Sequence, residues 1–135
     1  MNIAFFLTPK SEVIYIPLNS TMRQALEKME YHRHTAVPLI DEQGKYAGTI
    51  TEGDLLWKMK NTPGLTFADT ERVMIKDVPQ RMTNVPVRIY ANIEDLLSLA
   101  IVQSFIPVVD DSEVFIGIIR RSDIIEYYTK IALKN

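Results

Sequence analysis

With 135 residues, 47% of them hydrophobic, the chain has the material for one buried core of ordinary domain size. A formal charge of −2 argues against a general nucleic-acid binder or a protein of anionic membrane surfaces, both of which carry net or strongly patched positive charge. The absence of cysteine removes disulfides, thiolate nucleophiles and cysteine-ligated zinc, and fits a reducing compartment.

The opening MNIAFFL has an apolar run of five residues without a basic start or a small-residue cleavage site, and falls short of a signal peptide. No stretch approaches the roughly 20 apolar residues of a membrane helix. A cytoplasmic location is therefore expected, with no membrane partner, no nucleic-acid partner and no attached effector domain. The β-branched run at 13–16 predicts a strand. Met22, Ala25, Leu26 and Met29 follow at i, i+3, i+4 and i+7, the spacing of an amphipathic helix, and Thr21 with Gln24 supplies a capping box. His32-Arg33-His34 closes that helix, where cations complement the dipole. The two histidines are i, i+2 and share no helical face, so no metal site is expected of them. Strands are predicted around 36–40 and 46–51, joined by the turn signal Glu42-Gln43-Gly44. The next helix carries Leu55, Leu56 and Met59, with Trp57 in the core or at a subunit contact. NTPGLTFADTE, from Asn61 to Glu71, has turn residues and few aliphatic side chains and reads as a linker. Beyond it, strands are predicted around 85–89, 105–109 and 114–119, with a turn at Asp111-Ser112-Glu113. One helix carries Ile93, Leu96, Leu97 and Ala100 behind Asn92 and Asp95, and the last carries Ile124, Ile125, Tyr128, Ile131 and Ala132.

The order of these elements repeats. TAVPLID (35–41) matches SFIPVVD (104–110), and YAGTITEGDLL (46–56) matches FIGIIRRSDII (115–125). Pro38 and Pro107, Asp41 and Asp110, Gly48 and Gly117, and Asp54 and Asp123 are each 69 residues apart, which marks an internal duplication. Upstream the offset becomes 71, pairing MRQALEKM (22–29) with IEDLLSLA (93–100). Earlier still the register is open: Leu7-Thr8-Pro9 corresponds to Met82-Thr83-Asn84 or to Met74-Ile75-Lys76. Each copy reads strand, helix, strand, strand, helix. The expected fold is α/β (α+β), two βαββα-type repeats at 1–60 and 75–135 with the linker 61–74 between them. A unit of about 50 residues buries too little surface to stand alone. The copies are therefore expected to pack face to face about a pseudo-twofold axis, leaving two related clefts.

Each copy thus has a helix, then AVPLID or FIPVVD, a tight turn, and a glycine-led strand entering a second helix, which in the first copy reads GTITEGD. This pattern resembles the tandem CBS domain pair, or Bateman module, over nearly the whole chain. The stretches VMIKDVP and DDSEVFIGIIRR are similar to those of small free-standing modules among bacterial cyclic di-AMP receptors. The resemblance implies a regulatory module that binds an adenine-containing nucleotide (AMP, ADP, ATP or cyclic di-AMP) in the clefts between repeats and modulates a partner protein. It implies no cofactor beyond that ligand, and a homodimer formed through the helices as a disc with a central opening. By the same resemblance Thr51 and Asp54 hold the ribose hydroxyls, a task that suits a fixed carboxylate and a neighbouring hydroxyl. Ile14 and Ile16, with Thr35, Ala36, Val37 and Pro38, would frame a flat base, and the main chain of 35–37 would read its edge. In the second copy Arg120 stands where the first has Thr51, while Asp123 remains. Arg120 and Arg121 suit phosphate, which a guanidinium clamps bidentately. The two sites are therefore unequal: the second is degenerate, or lends its arginines to phosphates.

Plainer readings stand beside these. Thr51 and Asp54 have capping-box spacing, and an aspartate in the first turn complements the helix dipole, so cap and ligand site can coincide. Arg120-Arg121 is also what a solvated pair balancing nearby acids looks like. The alternative function is a ligand-free interaction and dimerisation scaffold with degenerate nucleotide sites. Catalysis lacks parts: there is no GxxxxGKS/T loop, no recognisable His/Asp/Ser set and no carboxylate cage, so neither an enzyme nor a metal site is expected.

Overall fold

Pro38 and Pro107 sit in interior strands of two separate sheets. The computed structural model describes residues Met1–Lys134; Asn135, the last residue of the second repeat, lies outside the described residues. In chain order the elements are β1 (Thr8–Pro9), β2 (Ile16–Pro17), α1 (Met22–His32), β3 (Ala36–Ile40), β4 (Tyr46–Thr51), α2 (Glu52–Asn61), β5 (Val87–Arg88), α3 (Ile93–Ala100), β6 (Phe105–Val109), β7 (Phe115–Arg120) and α4 (Arg121–Lys134). The fold is mixed α/β, and both copies run strand, helix, strand, strand, helix as expected. One sheet has the order β2-β3-β4 and the other β1-β7-β6-β5. Neither proline disrupts its sheet, for the same reason. The short parallel neighbour β2 covers only Leu39 and Ile40, and β5 only Val108 and Val109, so each proline lies past its neighbour's end. The duplication extends to irregularities: register shifts fall at Leu39/Ile40 and at Val108/Val109.

The compact units cut across the sequence repeats. One is Ile14–Thr83; the other joins Met1–Val13 to the chain from Asn84 onward. These boundaries differ from 1–60 and 75–135: Met1–Val13, the start of the first repeat, groups with the second copy, and 75–83, the start of the second repeat, groups with the first. The first unit's core includes Ile16, Met22, Leu39, Ile50, Ile75 and Val78. The other includes Ile3, Phe6, Leu96, Ile106, Val108 and Ile119. The upstream register is also settled. Short 3-10 turns at Ile3–Phe6 and Ile75–Asp77 close with matching bonds, the Leu7 N–H donating to Ala4 and the Val78 N–H to Ile75. Leu7-Thr8-Pro9 thus corresponds to Val78-Pro79-Gln80, neither of the two alternatives read from sequence. The proline is displaced by one position between the copies, so punctuation alone misaligns them.

Local signals behave as their chemistry requires. Thr21 Oγ1 accepts from the Gln24 N–H at 3.1 Å and Gln24 Oε1 from the Thr21 N–H at 2.8 Å, the complete capping box. At the other end of α1 the Arg33 N–H donates to Glu30 and the His34 N–H to Met29, a Schellman closure that puts Arg33 at φ 57°, ψ 40°. A side chain is strained in that left-handed region. Arg33→Gly is expected to stabilise the protein by about 0.5–1 kcal/mol, read as a higher denaturant midpoint at unchanged slope. A lower midpoint would show that the Arg33 side chain has a role in the fold.

The linker is strapped to α1. Arg23 Nε donates to Thr70 Oγ1 at 2.9 Å and Nη2 to the Phe67 carbonyl at 2.7 Å, with the guanidinium 3.7 Å above the Phe67 ring. Within the strap the Thr66 N–H, the Arg72 guanidinium and the Thr66 hydroxyl hold the Asp69 carboxyl down to about 2. Among the described residues no helix is long and apolar enough to cross a membrane.

Candidate functional site

In each copy the antiparallel strand ends where a helix begins, and the residues at that junction decide what the site can do. In the first copy Thr51 is both the last residue of β4 and the N-cap of α2. Its Oγ1 accepts from the Asp54 N–H at 3.1 Å, and Asp54 Oδ2 accepts from the Thr51 N–H at 2.9 Å. The capping box is therefore present. A third bond, invisible to local pattern, reaches Asp54 Oδ1 from the Arg81 N–H at 3.1 Å. The carboxylate is 2% exposed, and each oxygen is aimed by one backbone donor with a lone pair to spare.

The other candidate residues of this copy gather along the same sheet. Ala36 pairs with Thr51, Val37 with Ile50 and Pro38 with Thr49, and the Thr35 carbonyl accepts from the Glu52 N–H at 2.9 Å. Ile16 lies beside Leu39 on the far side of β3. Their side chains are less available than their positions. Ile16 and Val37 are each 1% exposed and belong to the core, and Pro38 is buried. Half-buried Ile14 and Ala36 and exposed Thr35 remain for contact with a base. Four consecutive residues of β3, Val37–Ile40, are buried, which leaves this strand no solvent-facing side.

Beside Asp54 is a hollow of about 210 Å³ lined by Trp57, Lys58, Asn61, Thr62, Pro79 and Arg81. The Arg81 guanidinium lies 5.8 Å from the Trp57 ring centre, within cation–π reach. Sequence reasoning missed Arg81, and read Trp57 as a core or subunit contact. The signal that could have found Arg81 is the correct register of 78–80 against 7–9, which brings that segment beside β4.

The second copy is built differently at the equivalent junction. Arg120 Nε donates to Asp123 Oδ2 at 3.0 Å and Nη2 to Oδ1 at 3.4 Å, so the guanidinium lies across its own helix's first turn. With side chains 56% and 30% exposed, this ion pair contributes at most about 1 kcal/mol. Arg121 departs in another direction. Its N–H donates to the Ser104 carbonyl at 2.9 Å, the counterpart of the Glu52–Thr35 bond, and it lines a groove between α3 and α4. The two arginines are thus engaged in different places. They and Asp123 lie in one unit, and the first-copy residues lie in the other. Among the described residues no group of His, Cys, Asp or Glu is placed to hold a metal.

Comparison with known proteins gives these junctions a family. The CBS domain-containing chloroplastic protein CBSX1 of Arabidopsis thaliana is 25% identical over 146 residues, taking in 89% of this chain and 61% of CBSX1. The chloroplastic CBSX2 of the same plant is 27% identical over 143 residues, taking in 89% of this chain and 60% of CBSX2. The chain therefore spans about three-fifths of the length of these curated relatives. The structure of CBSX2 in complex with AMP is similar at a TM-score of 0.75 and 25% identity, over 97% of this chain and 98% of that one. The CbpB protein of Listeria monocytogenes in complex with c-di-AMP shares the fold at a TM-score of 0.85 and 20% identity, over 100% of both chains. The sequence pattern of the CBS domain is matched at residues 6–61 and again at 71–130, and with both copies of the duplication so matched, the chain belongs to the CBS domain family.

Proposed function

We propose that the chain is a regulatory module that senses an adenine-containing nucleotide through its first repeat and modulates a partner protein, without catalysing a reaction on the ligand. The observation that carries this reading is the Asp54 carboxylate, held by the Thr51 and Arg81 N–H groups at the edge of a hollow. A carboxylate so aimed has a free lone pair on each oxygen for the vicinal hydroxyls of a ribose, and its orientation costs nothing at the moment of binding. Thr51, the Thr35–Val37 main chain and Ile14 complete the proposed contacts. Arg120, once released from Asp123, and Arg121 are the second repeat's own candidates for a phosphate. AMP, held by CBSX2, and cyclic di-AMP, held by Listeria CbpB, join ADP and ATP as candidates. A homodimer in the cytoplasm belongs to the same reading. Any ligand shifts the module only by its differential affinity for two arrangements.

Thermal shift against those four nucleotides tests the reading. A true ligand at about 100 times its dissociation constant adds about 2.7 kcal/mol, a rise of roughly 5–10 °C in melting temperature for a chain of this size. No rise with any of the four at millimolar concentration would reject the sensor. Two observations favour the scaffold instead: Asp54 is 2% exposed, and Asp123 is already paired with Arg120. The scaffold reading expects the flat response.

A further inference from the structure

The outer edges of the two sheets are finished by different chemistry. In the second copy β1 lies along β7, with Thr8 opposite Ile118 and Pro9 opposite Gly117. In the first copy β4 is the terminal strand of its sheet, and the stretch in register with β1, Val78-Pro79-Gln80, forms no strand beside it. The side chain of Gln80 lies there instead. Its Oε1 accepts from the Thr49 N–H at 3.2 Å and its Nε2 donates to the Ala47 carbonyl at 3.4 Å. A primary amide offers a donor and an acceptor in one plane, as a peptide unit does, so a single side chain meets main-chain groups that a neighbouring strand would otherwise pair. The positions match as well. A Cβ added to Gly117 would meet the Thr8 main-chain oxygen at 2.2 Å, and one added to Gly48 would meet Gln80 Oε1 at 1.9 Å. A carbonyl oxygen thus lies over each glycine, from the backbone in one copy and from a side chain in the other.

We propose that Gln80 is a positioning residue for the nucleotide site: its amide docks Pro79–Arg81 on β4 and so places the Arg81 N–H on Asp54. The effect on affinity rests on the sensor reading, whereas the docking is a property of the ligand-free chain. Val78 is anchored in the core at 2% exposure and Asn84, where the other unit begins, is 4% exposed, but residues 79–83 between them are exposed. The hydrogen bonds that tie this stretch down are the two of Gln80 and the 3.1 Å bond from the Arg81 N–H to Asp54 Oδ1. Exposed chain so lightly held opens locally. The Arg81 N–H belongs to the peptide that joins it to Gln80, so fixing Gln80 fixes the donor. Without the amide, Asp54 Oδ1 loses its aim for part of the time and the ligand must restore it on binding, which lowers affinity. The competing hold on the segment is the Arg81 guanidinium, 5.8 Å from the Trp57 ring centre. A cation–π contact tolerates sliding and fixes a side chain rather than the peptide behind it.

Gln80→Met tests the assignment, since it keeps the length of the side chain and removes the amide. In the ligand-free variant the Thr49 and Arg81 amides are expected to exchange about tenfold faster than in wild type, the equivalent of one net hydrogen bond, by hydrogen exchange read in NMR. Exchange at Ile50, in the core beside them, reports global stability and is expected to stay as in wild type. The dissociation constant is then measured by titration calorimetry for whichever of AMP, ADP, ATP and cyclic di-AMP most raises the wild-type melting temperature. It is expected to rise roughly 3- to 10-fold in Gln80→Met. A purely structural role for Gln80 would move Ile50 and leave the affinity of the folded protein alone. Arg81 exchange as slow as in wild type overturns the docking and assigns the segment to the Arg81–Trp57 contact. Fast Arg81 exchange with wild-type affinity overturns the positioning role. A flat response of the wild type to all four nucleotides rejects the sensor reading instead, and the exchange of Arg81 in the ligand-free variant still decides whether Gln80 docks the segment.

Discussion

Asp54→Asn is expected to abolish the nucleotide-dependent rise in melting temperature while costing only about 1–2 kcal/mol of basal stability. The carboxylate has two structural partners, the Thr51 N–H at 2.9 Å and the Arg81 N–H at 3.1 Å. An amide has one acceptor oxygen, so the variant keeps one of these bonds and turns an NH₂ toward the other donor. The lost bond to an ionised acceptor and the weaker helix-start charge set the basal cost. A ribose needs acceptors for both hydroxyls, and the amide removes one acceptor and the charge together. Asp54→Ala is expected to be harsher, about 2–4 kcal/mol, since it orphans both N–H groups at a position 2% exposed. The alanine variant alone would confound unfolding with loss of the site, and the asparagine variant separates them. Urea denaturation gives the basal term and thermal shift with the four nucleotides gives the response. A full response from a well-folded asparagine variant would reduce Asp54 to a helix cap and move the ribose elsewhere.

What could be foreseen at this site divides by sequence separation. Thr21 with Gln24, and Thr51 with Asp54, are partners within one helical turn, so the residues that make each cap also announce it. Asp41 and Asp110 likewise organise their own turns, each accepting from N–H groups two and four residues on. Element order was legible for a related reason: the duplication let each weak periodic signal be read twice. The contacts that complete the site carry no such trace. Arg81 reaches Asp54 across 27 residues through its backbone, and any residue but proline could have supplied that N–H. Arg23 grips Phe67 and Thr70 across 44 and 47 residues. The attachment of Met1–Val13 to the second copy's sheet rests on a two-residue strand, too short to show alternation. The framing of a flat base by Ile16 and Val37 met a different obstacle. An apolar run reads the same whether its side chains face a ligand or a core, and here the core holds them.

Gly117→Ala is expected to cost about 2–4 kcal/mol and to free the amino-terminal segment, whereas Gly48→Ala, its counterpart, is expected to strain only its own strand. Both glycines have positive φ, 156° and 125°, so any side chain there meets some backbone strain. They differ in what crosses over them. A Cβ on Gly117 would lie 2.2 Å from the Thr8 carbonyl oxygen and 3.1 Å from Pro9 Cα, the backbone of β1 as it pairs with β7. Backbone cannot swing aside, so β1 must lift. Ile3 and Phe6, anchored in the same core at 0% and 5% exposure, must yield or hold the strain. Overpacking of this kind costs about 1–3 kcal/mol, and the dihedral strain adds to it. A Cβ on Gly48 would instead lie 1.9 Å from Gln80 Oε1, the far end of an exposed side chain. Gln80 can rotate away, giving up its 3.2 Å bond from the Thr49 N–H. Hydrogen exchange tells the two apart. In Gly117→Ala the amides of 1–13 should lose protection well before the helices do, a local opening of the kind that weakly held segments undergo. In Gly48→Ala that segment should stay protected. Equal protection of 1–13 in both variants would mean that β1 is held by Ile3 and Phe6 alone, and that the close approach at Gly117 contributes nothing to its attachment.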